Sequence, residues 1–201
     1  MFKRILLFLI VMSFAASLAG PVFAAQTPGD ISGHWAQSKI ELAISMGLFS
    51  GDPHLLERFE PDRPMTRAEL CGVLNRLHNF TEEADIAFSD VSAASPYAVE
   101  LKRAVKAGYF FGDDRGRANP VGLLTRSEAA AMIYRIEKYP LAAGESKRFR
   151  DHRDIPSWAV DAVDACVKKG VIKGDDENRF RPNDNLTRAE VVALIYNLIF
   201  V

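Results

Sequence analysis

The sequence predicts an all-α protein in which three helix-loop-helix repeats pack on one another as one pseudo-threefold helical assembly. Three patterns support this fold class: two segments of helical apolar spacing in each repeat, a Thr-x-x-Glu helix start and a Gly-Asp loop. The last two patterns each occur three times, at intervals of about 60 residues. A single helix-loop-helix unit cannot bury its apolar faces alone, so the three units are expected to share one core.

Each repeat is predicted to begin with an amphipathic helix that stops at a glycine. In the third copy the apolar residues Trp158, Val163, Cys166 and Val167 recur at helical spacing, and Gly170 suits the position just after a helix. The first copy has the matching set Trp35, Ile40, Ala43, Ile44 and Gly47.

The second helix of each repeat is predicted to begin with a capping box. In the third copy the hydroxyl of Thr187 can accept from the amide of Glu190, while the carboxylate of Glu190 accepts from the amide of Thr187. Leu186 and Val191 occupy the two positions of a hydrophobic staple, which would fix the angle at which the chain enters the helix. The other two boxes are Thr66-Arg67-Ala68-Glu69 and Thr125-Arg126-Ser127-Glu128.

The loop between the two helices is rich in Gly, Asp, Asn and Pro. It is predicted to hold an apolar plug, Phe59 in the first copy and Phe180 in the third, with Ala118 in the same place in the second. A proline stands five residues before the capping threonine in every copy. The Gly-Asp pairs that open the loops are Gly51 and Asp52, Gly112 and Asp113, and Gly174 and Asp175.

An arginine follows the capping threonine in every copy, at the first position of the predicted helix: Arg67, Arg126 and Arg188. The positive end of the helix dipole makes a cation mildly unfavourable there, by a few tenths of a kcal/mol up to ~1. A basic side chain beside the amides of a helix N-terminus is, however, a good arrangement for holding an anion. The alternative is that each arginine pairs with a nearby loop carboxylate such as Asp62 or Asp184.

Residues 1–24 are predicted to be a signal peptide. Lys3 and Arg4 form a positive segment, an apolar run follows, and Val22-Phe23-Ala24 has the small-residue pattern of a cleavage site. The apolar run is shorter than the roughly 20 residues that span a bilayer, which disfavours an uncleaved anchor. We therefore expect an exported protein with repeats at 25–80, 86–139 and 147–201, without room for an effector domain.

Composition and motifs favour a binding protein over an enzyme. The formal net charge of −1 offers no basic excess for nucleic acid. The loop that starts at Asp175 lacks the glycine of a calcium-binding EF-hand, and the four histidines lack the spacing of a helical zinc pair. No catalytic or phosphate-binding motif is present, so we expect no catalytic residue, no metal and no cofactor. An enzyme with an unrecognised site remains the alternative.

Two pairs of residues leave alternatives open. Cys71 and Cys166 stand at small, buried-type helix positions, and an exported chain with two cysteines permits one disulfide. Trp35 and Trp158 each stand at the start of an amphipathic helix, where tryptophan is more often a core residue than a ligand platform. An exposed ring there could instead stack on the C–H face of a sugar.

The order of these motifs resembles the S-layer homology repeat of bacterial envelope proteins. The shared features are Asp and His-Trp-Ala, an apolar helix, Gly-x-x-x-Gly-Asp, Phe-x-Pro and Thr-Arg-Ala-Glu, and the resemblance covers residues 30–201. It implies a three-repeat helical domain that binds secondary cell-wall polymers non-covalently, often through pyruvylated amino sugars, in grooves between neighbouring repeats. The carboxylate of a ketal-linked pyruvate would supply an anion for the three arginines.

The resemblance implies a set of polymer-binding residues and a location in the cell wall or S-layer, with the wall polymer as partner. A structural or adaptor role, binding another envelope protein, is the alternative. The second copy departs from the pattern at Pro96, which replaces tryptophan, and at Ala118, so Arg188 of the third copy is expected to matter most. The implied binding residues are Arg67, Arg126, Arg188, Gly51, Asp52, Gly112, Asp113, Gly174, Asp175, Trp35 and Trp158.

Overall fold

The computed structural model describes residues 28–50 and 57–201. The predicted signal peptide and the first Gly-Asp pair, Gly51 and Asp52, lie outside the described residues. Within them the chain forms six α-helices and isolated β-bridges but no sheet, which confirms the all-α prediction. The helices are α1 (Gln37–Ser45), α2 (Arg67–His78), α3 (Ala98–Lys106), α4 (Arg126–Glu137), α5 (Val160–Lys168) and α6 (Arg188–Phe200).

The second helix of each repeat begins as the capping boxes predict. At α2 the amide of Glu69 donates to Thr66 Oγ1 at 3.3 Å, and the amide of Thr66 donates to Glu69 Oε2 at 2.7 Å. The same reciprocal pair is present at α4 and α6. The capping threonine precedes each helix, so the first helical residue, N1, is an arginine in each case. The staple residues of the third box, Leu186 and Val191, are both buried.

The first helix of each repeat ends at the predicted glycine. Gly47, Gly108 and Gly170 have φ values of 71°, 78° and 72°, in the left-handed region that closes a helix C-terminus without a Cβ clash. The chain then enters the loop that leads to the second helix of the repeat.

The helices pack between repeats. The second helix of one repeat lies against the first helix of the next, giving the pairs α2 with α3 and α4 with α5. The third pair, α6 with α1, joins the last repeat to the first and closes the assembly into a ring. Each repeat therefore buries its apolar faces on its two neighbours.

Three residues that precede the capping threonines form a closed cycle of backbone hydrogen bonds. The amide of Leu124 donates to the carbonyl of Met65 at 2.9 Å, and the amide of Leu186 donates to the carbonyl of Leu124 at 2.9 Å. The amide of Met65 donates to the carbonyl of Leu186 at 2.8 Å and completes the cycle. All three side chains are fully buried, so this cycle marks the axis around which the repeats are arranged.

An aspartate near the start of each repeat fixes the plug of that repeat. The carboxylate of Asp30 accepts from the amides of Phe59 and Glu60 at 2.9 and 2.7 Å. Asp90 holds the amides of Ala118 and Asn119 in the same way, and Asp151 holds those of Phe180 and Arg181. The three plug side chains are fully buried, as predicted.

The two cysteines do not form the disulfide that the composition permits. Cys71 and Cys166 are both free thiols in the core. Burial raises the pKa of each thiol to about 12, so both remain protonated and unreactive at neutral pH.

Candidate functional site

The three N1 arginines reach into the neighbouring repeat. The Nε of Arg67, in the first repeat, donates to the carbonyl of Ala118 at 3.0 Å, and its Nη1 contacts the carboxylate of Glu128. The guanidinium also lies over the ring of Phe110, with 5.0 Å between Cζ and the ring centroid. Arg67 therefore holds the second repeat by its plug, its capping box and its core.

Arg126 makes the equivalent link from the second repeat to the third. Its Nε donates to the carbonyl of Phe180 at 2.6 Å, and its Nη2 donates to the carbonyl of Lys173 at 2.9 Å. The side chain lies over the Phe180 ring and is buried, with 7% of its surface exposed. Burial, together with the nearby charge of Arg181, lowers the pKa of Arg126 from its usual value.

Arg188 closes the ring from the third repeat to the first. Its Cζ lies 4.5 Å from the ring centroid of Phe59 and 5.1 Å from that of Phe49, and its Nη1 is 3.4 Å from Glu69 Oε1. Only 2% of the residue is exposed. Arg188 is thus the most deeply buried of the three N1 arginines.

The amides at these helix N-termini are also taken by the neighbouring repeat. The amide of Arg67 donates to the carbonyl of Gly122 and that of Ala68 to the carbonyl of Pro120, both at 3.0 Å. The other two helices repeat this pattern. The donor amide is given first and the accepting carbonyl second in each pair: Arg126 with Asp184, Ser127 with Pro182, Arg188 with Arg63, and Ala189 with Pro61.

These contacts correct the predicted partners of the three N1 arginines. The amides that would have to be open for an anion already donate to backbone carbonyls, so a site at the helix N-terminus itself is wrong. The suggested partners are also wrong, since Asp62 pairs with His34 at 3.3 Å and Asp184 is 3.7 Å from Arg181. The N1 arginines instead join each repeat to the next.

The aspartates of the described Gly-Asp pairs organise their own loops. Asp175 Oδ1 accepts from the amides of Glu177 and Arg179, and its Oδ2 accepts from Arg179 Nε at 3.1 Å. Asp113 and Arg117 have the same arrangement in the second repeat. These bonds lower the pKa of both aspartates below its usual value, led by the amide bonds from Arg179 and Arg117.

The paired glycines are required by close packing. A Cβ on Gly112 would lie 2.5 Å from the Phe88 ring, and one on Gly174 would lie 2.7 Å from the Phe149 ring. Phe88 and Phe149 belong to the openings of their repeats, so each glycine lets the loop approach that opening. Both glycines have a packing role and present no side chain to a ligand.

The two tryptophans are surface residues, so the more common interpretation of them as core residues is wrong. Trp35 is 62% exposed and Trp158 is 57% exposed. Trp35 has His34 beside it, with 5.4 Å between ring centroids, and Nδ1 of His34 accepts from the amide of Ala36 at the start of α1. The helix start therefore holds the indole at the surface, in an orientation set by the backbone.

An open groove with a volume of about 600 Å3 lies in the third repeat. Its walls come from the opening of the repeat and from the loop before α6, and they carry both hydrogen-bond donors and acceptors. Trp158 follows one lining residue, Asp154, by four positions. The groove is lined by Asp151, Asp154, Arg179, Arg181, Pro182, Asn183 and Asp184.

The second repeat presents a different surface at the equivalent positions. Pro96 replaces the tryptophan, and Val121 stands where the third repeat has Asn183. Val121 and Leu123 are both exposed apolar side chains. Of the two departures noted in the sequence, Pro96 lies on the surface of the second repeat, whereas Ala118 is buried like the other plugs.

Acid is expected to destabilise the fold through its loop carboxylates. Asp90 is exposed, and the desolvation that would raise its pKa is outweighed by the amide bonds from Ala118 and Asn119, which lower it. Burial of Glu69 is likewise outweighed by Arg63 and Thr66. Because these groups bind protons more weakly when folded, their stabilisation is complete above their unfolded pKa values and is lost as pH falls below about 4.5. Urea midpoints should stay nearly level from pH 7 to about pH 5 and then fall towards pH 3, and a profile that stays flat below about pH 4.5 would contradict this.

Two features of the described part of the chain bear on other site types. No group of three or more His, Cys, Asp or Glu side chains there has the arrangement of a metal site. No helix within it is long and apolar enough to cross a membrane.

The chain is similar to proteins of bacterial surfaces. The model of the S-layer homology domain matches residues 29–71 and 148–192, which lie in the first and third repeats. A surface-layer 125 kDa protein of Lysinibacillus sphaericus is 28% identical over 194 residues, covering 93% of this chain and 16% of that protein. An amylopullulanase of Thermoanaerobacterium thermosulfurigenes is 34% identical over 179 residues, covering 87% of this chain and 10% of that protein.

A cellulosome-anchoring protein of Acetivibrio thermocellus is 31% identical over 144 residues, covering 68% of this chain and 32% of that protein. The chain therefore spans less than a third of the length of each of these three relatives. The similarity concerns one module that larger proteins with different remaining parts have in common.

Proposed function

Because the chain belongs to the S-layer homology family, we propose that it is a non-catalytic, exported cell-envelope anchoring module that binds a secondary cell-wall polysaccharide non-covalently. The ligand we propose is a polymer of amino sugars that carries pyruvate ketals. This proposal places the protein at the cell wall or S-layer, outside the cytoplasmic membrane.

The observation that carries the proposal is the exposure of Trp35 and Trp158 at equivalent helix starts. A large apolar ring that is more than half exposed in two repeats has no role in the core, which is built from other residues. An indole presents a flat apolar face and an N–H donor, and that combination suits a sugar ring with its C–H face and hydroxyls. The groove beside the loop of the third repeat adds arginine, asparagine and aspartate side chains for those hydroxyls.

The implied binding residues divide into two groups under this proposal. The tryptophans contact the polymer directly. The N1 arginines and the Gly-Asp pairs shape the groove, since Arg126 and Arg188 are buried and the glycines have no side chain. Loss of an N1 arginine therefore weakens binding by displacing a loop of the neighbouring repeat.

Replacing Trp158 with alanine is expected to weaken polymer binding by about tenfold, the effect of removing an aromatic hot-spot residue. Stability should change little, because the side chain is exposed. The measurement is calorimetric titration with a soluble wall-polysaccharide fragment, with the melting temperature as folding control. Val99→Ala, at an exposed apolar residue on α3, is the matched control. Equal affinity of parent and Trp158→Ala would contradict the stacking role.

The anchoring function itself is tested with isolated wall sacculi. The purified protein should bind untreated sacculi and fail to bind sacculi from which the secondary polymer has been stripped. The alternative function is that of an adaptor for another envelope protein, which the exposed Val121 and Leu123 of the second repeat favour. Binding that survives removal of the polymer, and that is lost in Val121→Asp, would support the adaptor role and overturn the polysaccharide proposal.

A further inference from the structure

A second arginine recurs in the three repeats, immediately before the plug. Arg58, Arg117 and Arg179 precede Phe59, Ala118 and Phe180. Their side chains are 67%, 48% and 44% exposed, whereas Arg126 and Arg188 are buried and the side chain of Arg67 is 13% exposed. The sequence contains this recurrence, although the Thr-Arg-Ala-Glu motif is more conspicuous.

The aspartate of the Gly-Asp pair fixes the orientation of this arginine. Asp175 Oδ2 receives both Nε and Nη2 of Arg179 at 3.1 Å, while Asp175 Oδ1 is occupied by two backbone amides. Arg117 and Asp113 are paired in the same way, at 2.9 and 2.8 Å. One edge of each guanidinium is thus held by the loop, and Nη1 makes no hydrogen bond to any described residue.

The third repeat differs from the second in the surroundings of the arginine Nη1. Arg179 lines the open groove, next to Asn183 and in the repeat that carries Trp158. Arg181 lines the same groove, where its Nη2 donates to Glu190 and its Nε and Nη1 lie 3.5 and 3.7 Å from Asp175 and Asp184. The carboxylates near Arg179 are those of Asp175 and Glu177, both on the side of Nε and Nη2. Arg179 has the more exposed side chain of the two, 44% against 33%, and its Nη1 is available to donate to a ligand.

The groove has three aspartates and two arginines, so it has room in its charge balance for at most one carboxylate beside several hydroxyls. Asp154 and Asp184 would repel a polyanion, but each can accept a hydrogen bond from a sugar hydroxyl. Asp151 is already occupied by two amides. A planar guanidinium with an available donor edge matches a carboxylate in geometry and charge.

We propose that Arg179, oriented by Asp175, contacts the carboxylate of the wall polymer in the groove of the third repeat. This inference rests on the proposed function, because it assigns the contact residue for the same polymer. Asp175 is a positioning residue in this arrangement, and Arg117 forms the same loop element without a sugar-binding surface beside it.

The test uses a soluble wall-polysaccharide fragment that carries pyruvate ketals, and the same fragment after mild acid hydrolysis of the ketals. Arg179→Ala is expected to weaken binding of the intact fragment by about tenfold and to leave binding of the hydrolysed fragment unchanged. Arg179→Lys should recover part of the affinity, because it keeps the charge and loses the fork. Asp175→Asn should weaken binding of the intact fragment without removing the cation.

Arg117→Ala is the matched control, since it breaks the same arginine–aspartate pair in the second repeat. It should leave the affinity within about twofold of the parent. The assignment would be overturned if Arg179→Ala lost affinity equally for both fragments or lost none. It would also be overturned if Arg117→Ala lost as much affinity as Arg179→Ala. If the parent binds neither fragment, the proposed function itself fails. Melting temperatures of all variants show whether a loss of binding reflects unfolding.

Discussion

A chain that ends at residue 146 is expected to lose cooperative folding, although it keeps two complete repeats. The truncation removes α5 and α6, so α4 loses the helix that covers it and α1 loses its partner across the ring closure. It also breaks two of the three backbone bonds around the axis, those that involve Leu186. Each large apolar side chain that becomes exposed costs ~1.5–3 kcal/mol, and several of them exceed the ~5–15 kcal/mol by which a domain is stable.

Circular dichroism and urea titration measure this effect. The truncated chain should show reduced helicity and a broad transition, whereas residues 28–201 should unfold in one sharp step. Adding residues 147–201 as a separate polypeptide should restore helicity, because the missing interfaces are non-covalent. A sharp transition in the truncated chain alone, close to that of the intact ring, would contradict the closed-ring account.

Local features of the fold were predictable because their partners are close in sequence. Thr187 and Glu190 are three residues apart, so the capping box is visible in a single short motif. The glycine that closes each first helix is equally local, and the apolar plug is marked by its place in a polar loop. Repetition strengthened each of these predictions, since one pattern was tested three times in one chain.

The role of the N1 arginines could not be predicted in the same way. Arg67 contacts the carbonyl of Ala118 and the carboxylate of Glu128, both of which belong to another repeat. A repeated motif shows what recurs within a unit, but not which neighbour a side chain reaches. The choice of Asp62 as a partner followed sequence proximity, and the ring arrangement overrides it.

The surface position of the tryptophans was also decided by tertiary structure. Helical spacing placed Trp35 and Trp158 in line with the apolar face, but α1 begins at Gln37, so Trp35 precedes the helix. Trp158 lies in a short 3-10 turn, Ser157–Ala159, that comes before α5. Both residues therefore leave the helical register that the spacing assumed, and their rings turn towards solvent.

The structure links stability and binding through the loops. The plug loop of each repeat is held by an aspartate of its own repeat and by an arginine of the preceding one in the ring. The third repeat's loop, which lines the groove, depends in this way on Asp151 and Arg126. A rigid loop keeps the groove shaped before the ligand arrives, which lowers the entropic cost of binding.

Replacing Arg188 with alanine is expected to lower the free energy of unfolding by about 3 kcal/mol, near the lower end of the range for breaking a buried ion pair. The variant loses the contacts of the guanidinium with the rings of Phe49 and Phe59 and with the carboxylate of Glu69. For a domain of this size the loss corresponds to a decrease of about 10 °C in melting temperature.

Arg63→Ala is the matched control for this variant, because Arg63 also pairs with Glu69, at 2.5 Å, but keeps 37% of its side chain exposed, against 3% for Arg188. A partly exposed ion pair contributes about 1 kcal/mol, so this variant should lose roughly a third as much stability as Arg188→Ala. Arg188→Met should recover part of the lost stability, since a long apolar side chain can still pack on the two rings while Arg63 continues to neutralise Glu69. Scanning calorimetry of the three variants measures the ranking, and an Arg188→Ala protein as stable as Arg63→Ala would show that the ring closure does not depend on the buried arginine.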